Sequence, residues 1–233
     1  MVLLLIVEWP FQWIAFLLGN WAFLEILEYL GSFSVLIAVI FYFHDSGNRV
    51  KQRHYQAWQV INTAQGKGGS GGRIEALQEL NADGVPLVGV DVSSAFLQGV
   101  QLPHAHLVRS NFSAADVRNG NFESSNFADS DLGSANFRGS VMRQTLFRGA
   151  RLDEADLSGA DLSGSDFSDS SLVNVDLRNA DLSGIGWKEI RNIRGANIFG
   201  VKNAPAGFVQ WAKQKGAVEI ESDAQWMEWQ MAH

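Results

Sequence analysis

From Val85 to Trp187 the chain repeats itself every five residues. Stepping by five from Leu87 meets 21 apolar residues in succession, the last being Trp187. Stepping by five from Val85 meets 21 small or β-branched ones, among them Ala95, Ser110, Gly120, Thr145, Ala160 and Ile185. A period of five fits neither the 3.6-residue helix nor the two-residue strand. It requires a backbone that turns a corner every five residues. One large and one small side chain then face inward, and three face out. Successive coils pair backbone to backbone along an axis at the strand spacing of about 4.8 Å. Such a chain is a one-dimensional repeat architecture.

Three repeats carry a common motif: Ala155-Asp156-Leu157-Ser158-Gly159, Ala160-Asp161-Leu162-Ser163-Gly164 and Ala180-Asp181-Leu182-Ser183-Gly184. Ala135-Asn136-Phe137-Arg138-Gly139 is a close variant. The pattern resembles the pentapeptide repeat family, whose consensus is A-[DN]-L-x-x. The resemblance implies an all-β solenoid, a right-handed quadrilateral parallel β-helix with four repeats per coil and about five coils. On that geometry Leu87, Leu107, Phe127, Phe147, Phe167 and Trp187 stack inside as core. Outside, Arg118, Arg138, Ser158 and Arg178 align in one column, beside Asp116, Asn136, Asp156 and Asp176. The column reads either as a charged docking stripe or as a solvated face of weak neighbouring ion pairs.

Residues 1–48 differ in composition from everything after them. Their only charges are Glu8, Glu25, Glu28 and Asp45, and the first Lys or Arg is Arg49. Phe23–Phe43 is 21 residues long, near the ~20 that cross a hydrocarbon core as helix. Trp21, Tyr29, Tyr42 and Phe43 flank it as an interfacial belt would. The segment is therefore expected to be a transmembrane helix, with the lipid bilayer as partner. Val2–Leu18, broken by Glu8 and Pro10, reads as an interfacial helix or a second crossing. Arg49, Lys51 and Arg53 then place the repeats on the cytoplasmic side of an inner membrane. Glu25 and Glu28 share a helix face. They read as an intramembrane polar pair for ions or protons, or as interfacial residues near the end of the span.

Residues 49–84 connect anchor and solenoid. Tyr55, Trp58 and Ile61 fall on one face of an amphipathic helix. Gly66–Gly72 lacks the G-x-x-x-x-G-K-[ST] pattern of a phosphate loop and reads as linker. Arg73–Leu80 forms a short helix. The repeat domain spans 85–203. After Trp187 its register shifts by one near Lys188–Arg191, as at a bulged corner, with Arg191 and Ala196 standing two before Ile193 and Ile198. Residues 204–233 form a helical cap: a helix from Pro205, a strand over Gly216–Glu221, and a last helix opened by Ser222-Asp223-Ala224-Gln225. Trp226 and Trp229 on that helix either cover the solenoid's end or form an aromatic contact with a second copy.

Nothing in the repeats assembles a catalytic set. The Asp residues recur at one slot because the fold calls for them there, which removes the usual reason to read them as acid/base pairs. His104 and His106 lie outward without a third ligand, and no cofactor or metal is expected. The absence of cysteine excludes disulfides and thiolate sites. A net charge of −7 argues against direct nucleic-acid binding. These features describe a bacterial-type, non-catalytic membrane-anchored scaffold that binds an unidentified protein or a copy of itself as a homo-oligomer. Two alternatives stand beside it. Residues 81–187 hold 14 Asp/Glu against 7 Lys/Arg, compatible with a DNA mimic acting on DNA gyrase or another topoisomerase. The other is an ion-conducting or sensing oligomer using Glu25 and Glu28.

Overall fold

The computed structural model describes residues 11–16, 19, 22–44, 46–63 and 70–232, with backbone alone at 22–28, 43–44 and 46–47. The chain divides into two compact units, Met1–Arg53 and His54–His233. In the first, α1 spans Ala22–His44. The described side chains within it, 29–42, are all exposed. Among the described residues, no helix is long and apolar enough to cross a membrane. The expected crossing at 23–43 is corrected accordingly. Of the apolar stretch 2–18 only residues 11–16 are described, and they are helical and exposed.

The second unit is the solenoid and its closures. Parallel bridges join residues 20 apart, from Asp91–Asn111 to Asp166–Gly186. Twenty residues therefore make one coil of four sides. Each coil hangs on the next through backbone bonds such as Leu97 N–H to Asp116 O (2.7 Å) and Asp116 N–H to Ala95 O (2.8 Å). All large inward side chains from Leu87 to Leu182 are buried, none more than 2% exposed. The Phe column appears as stacked rings, Phe127 on Phe147 at 5.8 Å and Phe147 on Phe167 at 4.9 Å. Phe112, Phe122 and Phe137 meet Phe127 from other sides, edge-on or tilted. Trp187 departs from the column. It is half-buried and packs on Phe208 and Trp211 of the cap.

A second period runs through the backbone. Every fifth residue from Gly84 to Gly184 has positive φ, glycine or not, as at Ser94, Arg109 and Glu154. This is the third outward position of each repeat, and it turns the corner. Left-handed backbone strains most L-residues, and Gly, Asn and Asp adopt it most readily.

Both ends of the solenoid are covered. Helix α2 (Ser46–Thr63) buries Ala57 and Ile61, and α3 (Arg73–Ala82) buries Leu77 and Leu80. Of the face carrying Tyr55, Trp58 and Ile61, Ile61 is buried and Trp58 packs on the core, while Tyr55 is 72% exposed. Helix α3 also satisfies the first coil's open edge. Gln78 Oε1 accepts from Gln101 N–H at 2.8 Å, and Asn81 Nδ2 donates to Pro103 O at 2.9 Å. Unpaired strand edges invite association, and these bonds close one.

At the other end the register changes as expected. Asp166 pairs 20 residues on with Gly186, whereas Ser171 pairs 21 on with Asn192. The inward small position is filled by Ile190, not Arg191, which is the exposed extra residue. The next helix, α4, spans Phe208–Gln214 and buries Phe208 and Ala212. It starts after Pro205, at Gly207, whose φ of 86° makes the turn into it. Val218 then pairs with Asn197 and extends one side of the solenoid. Helix α5 spans Asp223–Ala232.

Candidate functional site

The recurring acid at each repeat has a structural occupation. Its side chain accepts the N–H two residues on, as Asp156 Oδ1 from Ser158 N–H (2.9 Å) and Asn136 Oδ1 from Arg138 N–H (3.1 Å). These are Asx turns, and Asn serves them as well as Asp. Where Ser171 takes the slot, Asp153 of the preceding coil accepts from Val173 N–H at 3.1 Å instead. The buried hydroxyls are likewise spoken for. Ser125 Oγ donates to Leu102 O (2.6 Å) and accepts from Ala105 N–H (3.1 Å). Ser130, Ser140, Thr145 and Ser165 donate to the preceding coil in the same way.

The arginine column is brought together as the twenty-residue stepping requires, but its members differ. Arg118 forms a fork on Asp116, with bonds of 2.8 and 2.7 Å. The Arg118 guanidinium, chiefly by hydrogen bonding, holds the Asp116 carboxyl below its ordinary value. Arg138 reaches Asp156 on the next coil and Ser158 Oγ, each at 3.2 Å, and stays 59% exposed. Arg178 is only 12% exposed. It grips Asp176 through Nε and Nη2, meets Asp223 of α5 at 2.5 Å, and donates to Glu221 O at 2.9 Å. Those hydrogen bonds, to Asp176 first, raise its pKa against the opposing effect of burial. Asp176 is itself buried.

Carboxylates and arginines interleave on the other sides too. Arg143 holds Glu123 low on one, and Arg151 lies 2.5 Å from Asp131 on another. The seven arginines among residues 81–187 include six within 4.0 Å of a carboxylate: Arg118, Arg138, Arg143, Arg148, Arg151 and Arg178. This breaks up the acidic surface that the count of charges alone suggests.

Trp226 and Trp229 are half-buried against the solenoid wall. Trp226 Nε1 donates to Gly195 O at 3.4 Å, and its ring lies 5.3 Å from the Arg178 guanidinium. A Cβ at position 195 would collide with Asn174 Oδ1 of the coil below and come within 3.1 Å of the Trp229 ring. Two hollows flank this contact. One of about 490 Å³ is lined by Arg138, Ser158, Gly159, Arg178, Asn179, Phe199 and Asp223. The other, about 410 Å³, lies under α5 among Arg138, Asp156, Asp176, Arg178, Trp226 and Met227. Sequence reasoning finds the residues but not the meeting of Arg178 with Trp226. The one-residue shift after Trp187 is the available signal, since it aligns Gly195 with the corner positions Glu154 and Asn174.

Glu25 and Glu28 lie on α1, but their side chains are outside the described residues. His104 and His106 are exposed. Among the described residues no group of three or more His, Cys, Asp or Glu is placed to hold a metal.

A coiled, four-sided, parallel solenoid built on an A-[DN]-L-x-x motif defines a class of repeat protein. A family model described as Pentapeptide repeats, in eight copies, matches residues 87–123, 105–144, 125–164 and 145–184. Residues 87–184 therefore match pentapeptide repeats, which form right-handed quadrilateral β-helices. Solved structures similar to this chain include the pentapeptide repeat protein Rfr23 from the cyanobacterium Cyanothece 51142, at 24% identity and TM-score 0.33 over 46% of this chain. The chain spans 64% of that protein's length. A pentapeptide repeat protein of the Arabidopsis thaliana thylakoid lumen is 25% identical, with TM-score 0.24, over 59% of this chain and 80% of its own. QnrB1, a plasmid-mediated fluoroquinolone resistance protein, is 13% identical, with TM-score 0.38, over 63% and 85%. No curated protein matches the chain.

Proposed function

We propose that this protein is a non-catalytic scaffold, held at a lipid membrane by α1 and presenting its solenoid to a protein partner. One observation carries the reading. From Val35 to Tyr42 eight consecutive α1 residues are exposed, and all are apolar or aromatic. Eight residues pass more than twice around a helix, so every side of it is apolar. A helix of that kind is stable where lipid or protein surrounds it, not water. Arg49 supports a lipid neighbour. Its guanidinium sits 4.6 Å from the Tyr42 ring and donates to Tyr42 O at 3.0 Å, joining cation and aromatic at the helix end as in an interfacial belt. Arg49, Lys51 and Arg53 follow the apolar stretch closely and suit anionic headgroups. The solenoid supports the scaffold half of the reading, because its recurring acids and hydroxyls are committed to turns and coil contacts.

Vesicle flotation tests the anchor. The full chain is expected to float with liposomes, and Leu36→Lys/Ile40→Lys to remain in the load fraction. Full chain that stays in the load fraction excludes lipid anchoring. Cross-linked pull-down from native membranes tests the scaffold half: recovery of a partner that contacts the solenoid is expected, and recovery of only lipid excludes it.

A further inference from the structure

Helix α5 rests on the solenoid without belonging to its core. None of its side chains is buried, whereas the shorter α4 buries two. Its polar tether is Asp223, whose side chain is 77% exposed, and Trp226 adds a 3.4 Å bond to Gly195 O. The wall beneath has groups of its own facing the helix: Arg178 is bonded to Asp176 of the same coil, and Gly195, without a side chain, turns its carbonyl toward Trp226. Complementarity is incomplete, since a hollow of about 410 Å³ remains between α5 and the wall. A prepared surface, loosely and partly filled by the chain's own helix, has the form of a docking site with a placeholder in it.

We infer that the corner around Arg178 and Gly195 is a helix-docking site, and that α5 occupies it until a partner's helix replaces it. The chemistry of the occupant is set by α5. It is an amphipathic helix with a carboxylate in its first turn, which pairs with Arg178. A Trp three residues later donates to Gly195 O and lies against the guanidinium. A second aromatic, three residues further on, packs beside Gly195, where a side chain would crowd it. Arg178 supplies orientation as well as charge, because its fork is held by Asp176 of the wall. Displacing α5 takes no buried side chain of the helix out of the core. The inference rests on the scaffold reading and gives its partner a chemistry.

The test uses the full chain in detergent and a fluorescein-labelled peptide copying residues 220–232, read by anisotropy. Asp223→Arg/Trp226→Ala/Trp229→Ala opens the site without removing a buried side chain. The opened chain is expected to bind the peptide about tenfold more tightly than the unaltered chain. A peptide with Asp223→Lys is expected to lose about tenfold on the opened chain, and this arm leaves the fold untouched. Arg178→Lys in the opened chain is expected to weaken binding as well, as loss of the fork requires. Equal binding by opened and unaltered chains overturns the proposal, and so does indifference to the peptide's carboxylate. These results concern the docking site alone. Failure of the scaffold reading shows separately, as a pull-down without a protein partner.

Discussion

The repeat run and helix α5 are built from similar residues to opposite effect. Phe147 lies inside the coils at 0% exposure, stacked between two other rings. Trp229, a larger aromatic, sits half-covered on the outside of the same wall. In the coils each inward side chain is enclosed by the turn above and the turn below, and the buried hydroxyls bond to the preceding coil. Helix α5 has the wall on one side only and shares no backbone ladder with it. The coils are thus a fixed frame, and α5 is a tenant on its surface.

The largest break in that contrast comes from truncating the two aromatics. Phe147→Ala is expected to cost about 3–5 kcal/mol of stability by denaturant unfolding. Trp229→Ala is expected to cost under about 1 kcal/mol. Equal losses would make α5 part of the frame. A finer cut is Ser125→Ala, which removes a hydroxyl bonded to both Leu102 O and Ala105 N–H. It is expected to cost about 1 kcal/mol.

Acid probes the outer ladder. Asp116 and Glu123 are held low chiefly by Arg118 and Arg143, and Asp181 by the Ser183 N–H and then Asn203. A carboxylate depressed on folding stabilises the fold above its unfolded value, 3.8 for Asp, and loses that contribution as pH falls through the folded value. The melting temperature should therefore stay level from neutral pH to about pH 5 and fall below about pH 4. A level profile down to pH 2 would show that the ladder adds nothing. The smallest effect tests the corners. Ala114 holds φ of 55°, and Ala114→Gly should raise stability by roughly half a kcal/mol, against the usual penalty for glycine.

How much of this is legible depends on whether neighbours along the chain or across space decide the matter. The five-residue period alone places Leu87 through Leu182 inside, because identical coils leave each position one environment. The left-handed corner is also written in the sequence. Of the positions from 84 to 184 that carry it, 16 of 21 are Gly, Asn, Asp or Ser, a bias that only the backbone explains. Ile190 escapes the spacing because a bulge can drop its extra residue at any of several neighbouring places, and only burial of the isoleucine decides which. Tyr55 is open for a similar reason, since helical spacing defines faces but not which one meets the coil. Arg178 looks equal to Arg118 and Arg138 by stepping. Its distinction comes from α5, 45 residues later, and no local pattern announces that contact.

Hydrogen exchange on the full chain in lipid nanodiscs tests the division between frame and tenant most directly. Amides of the coils, such as those of Phe137 and Leu157, are predicted to exchange only with global unfolding, and those of α5 at least about a hundredfold faster. Protection of α5 equal to that of the coils would contradict it, and would return Arg178, Trp226 and Trp229 to the role of a permanent cap.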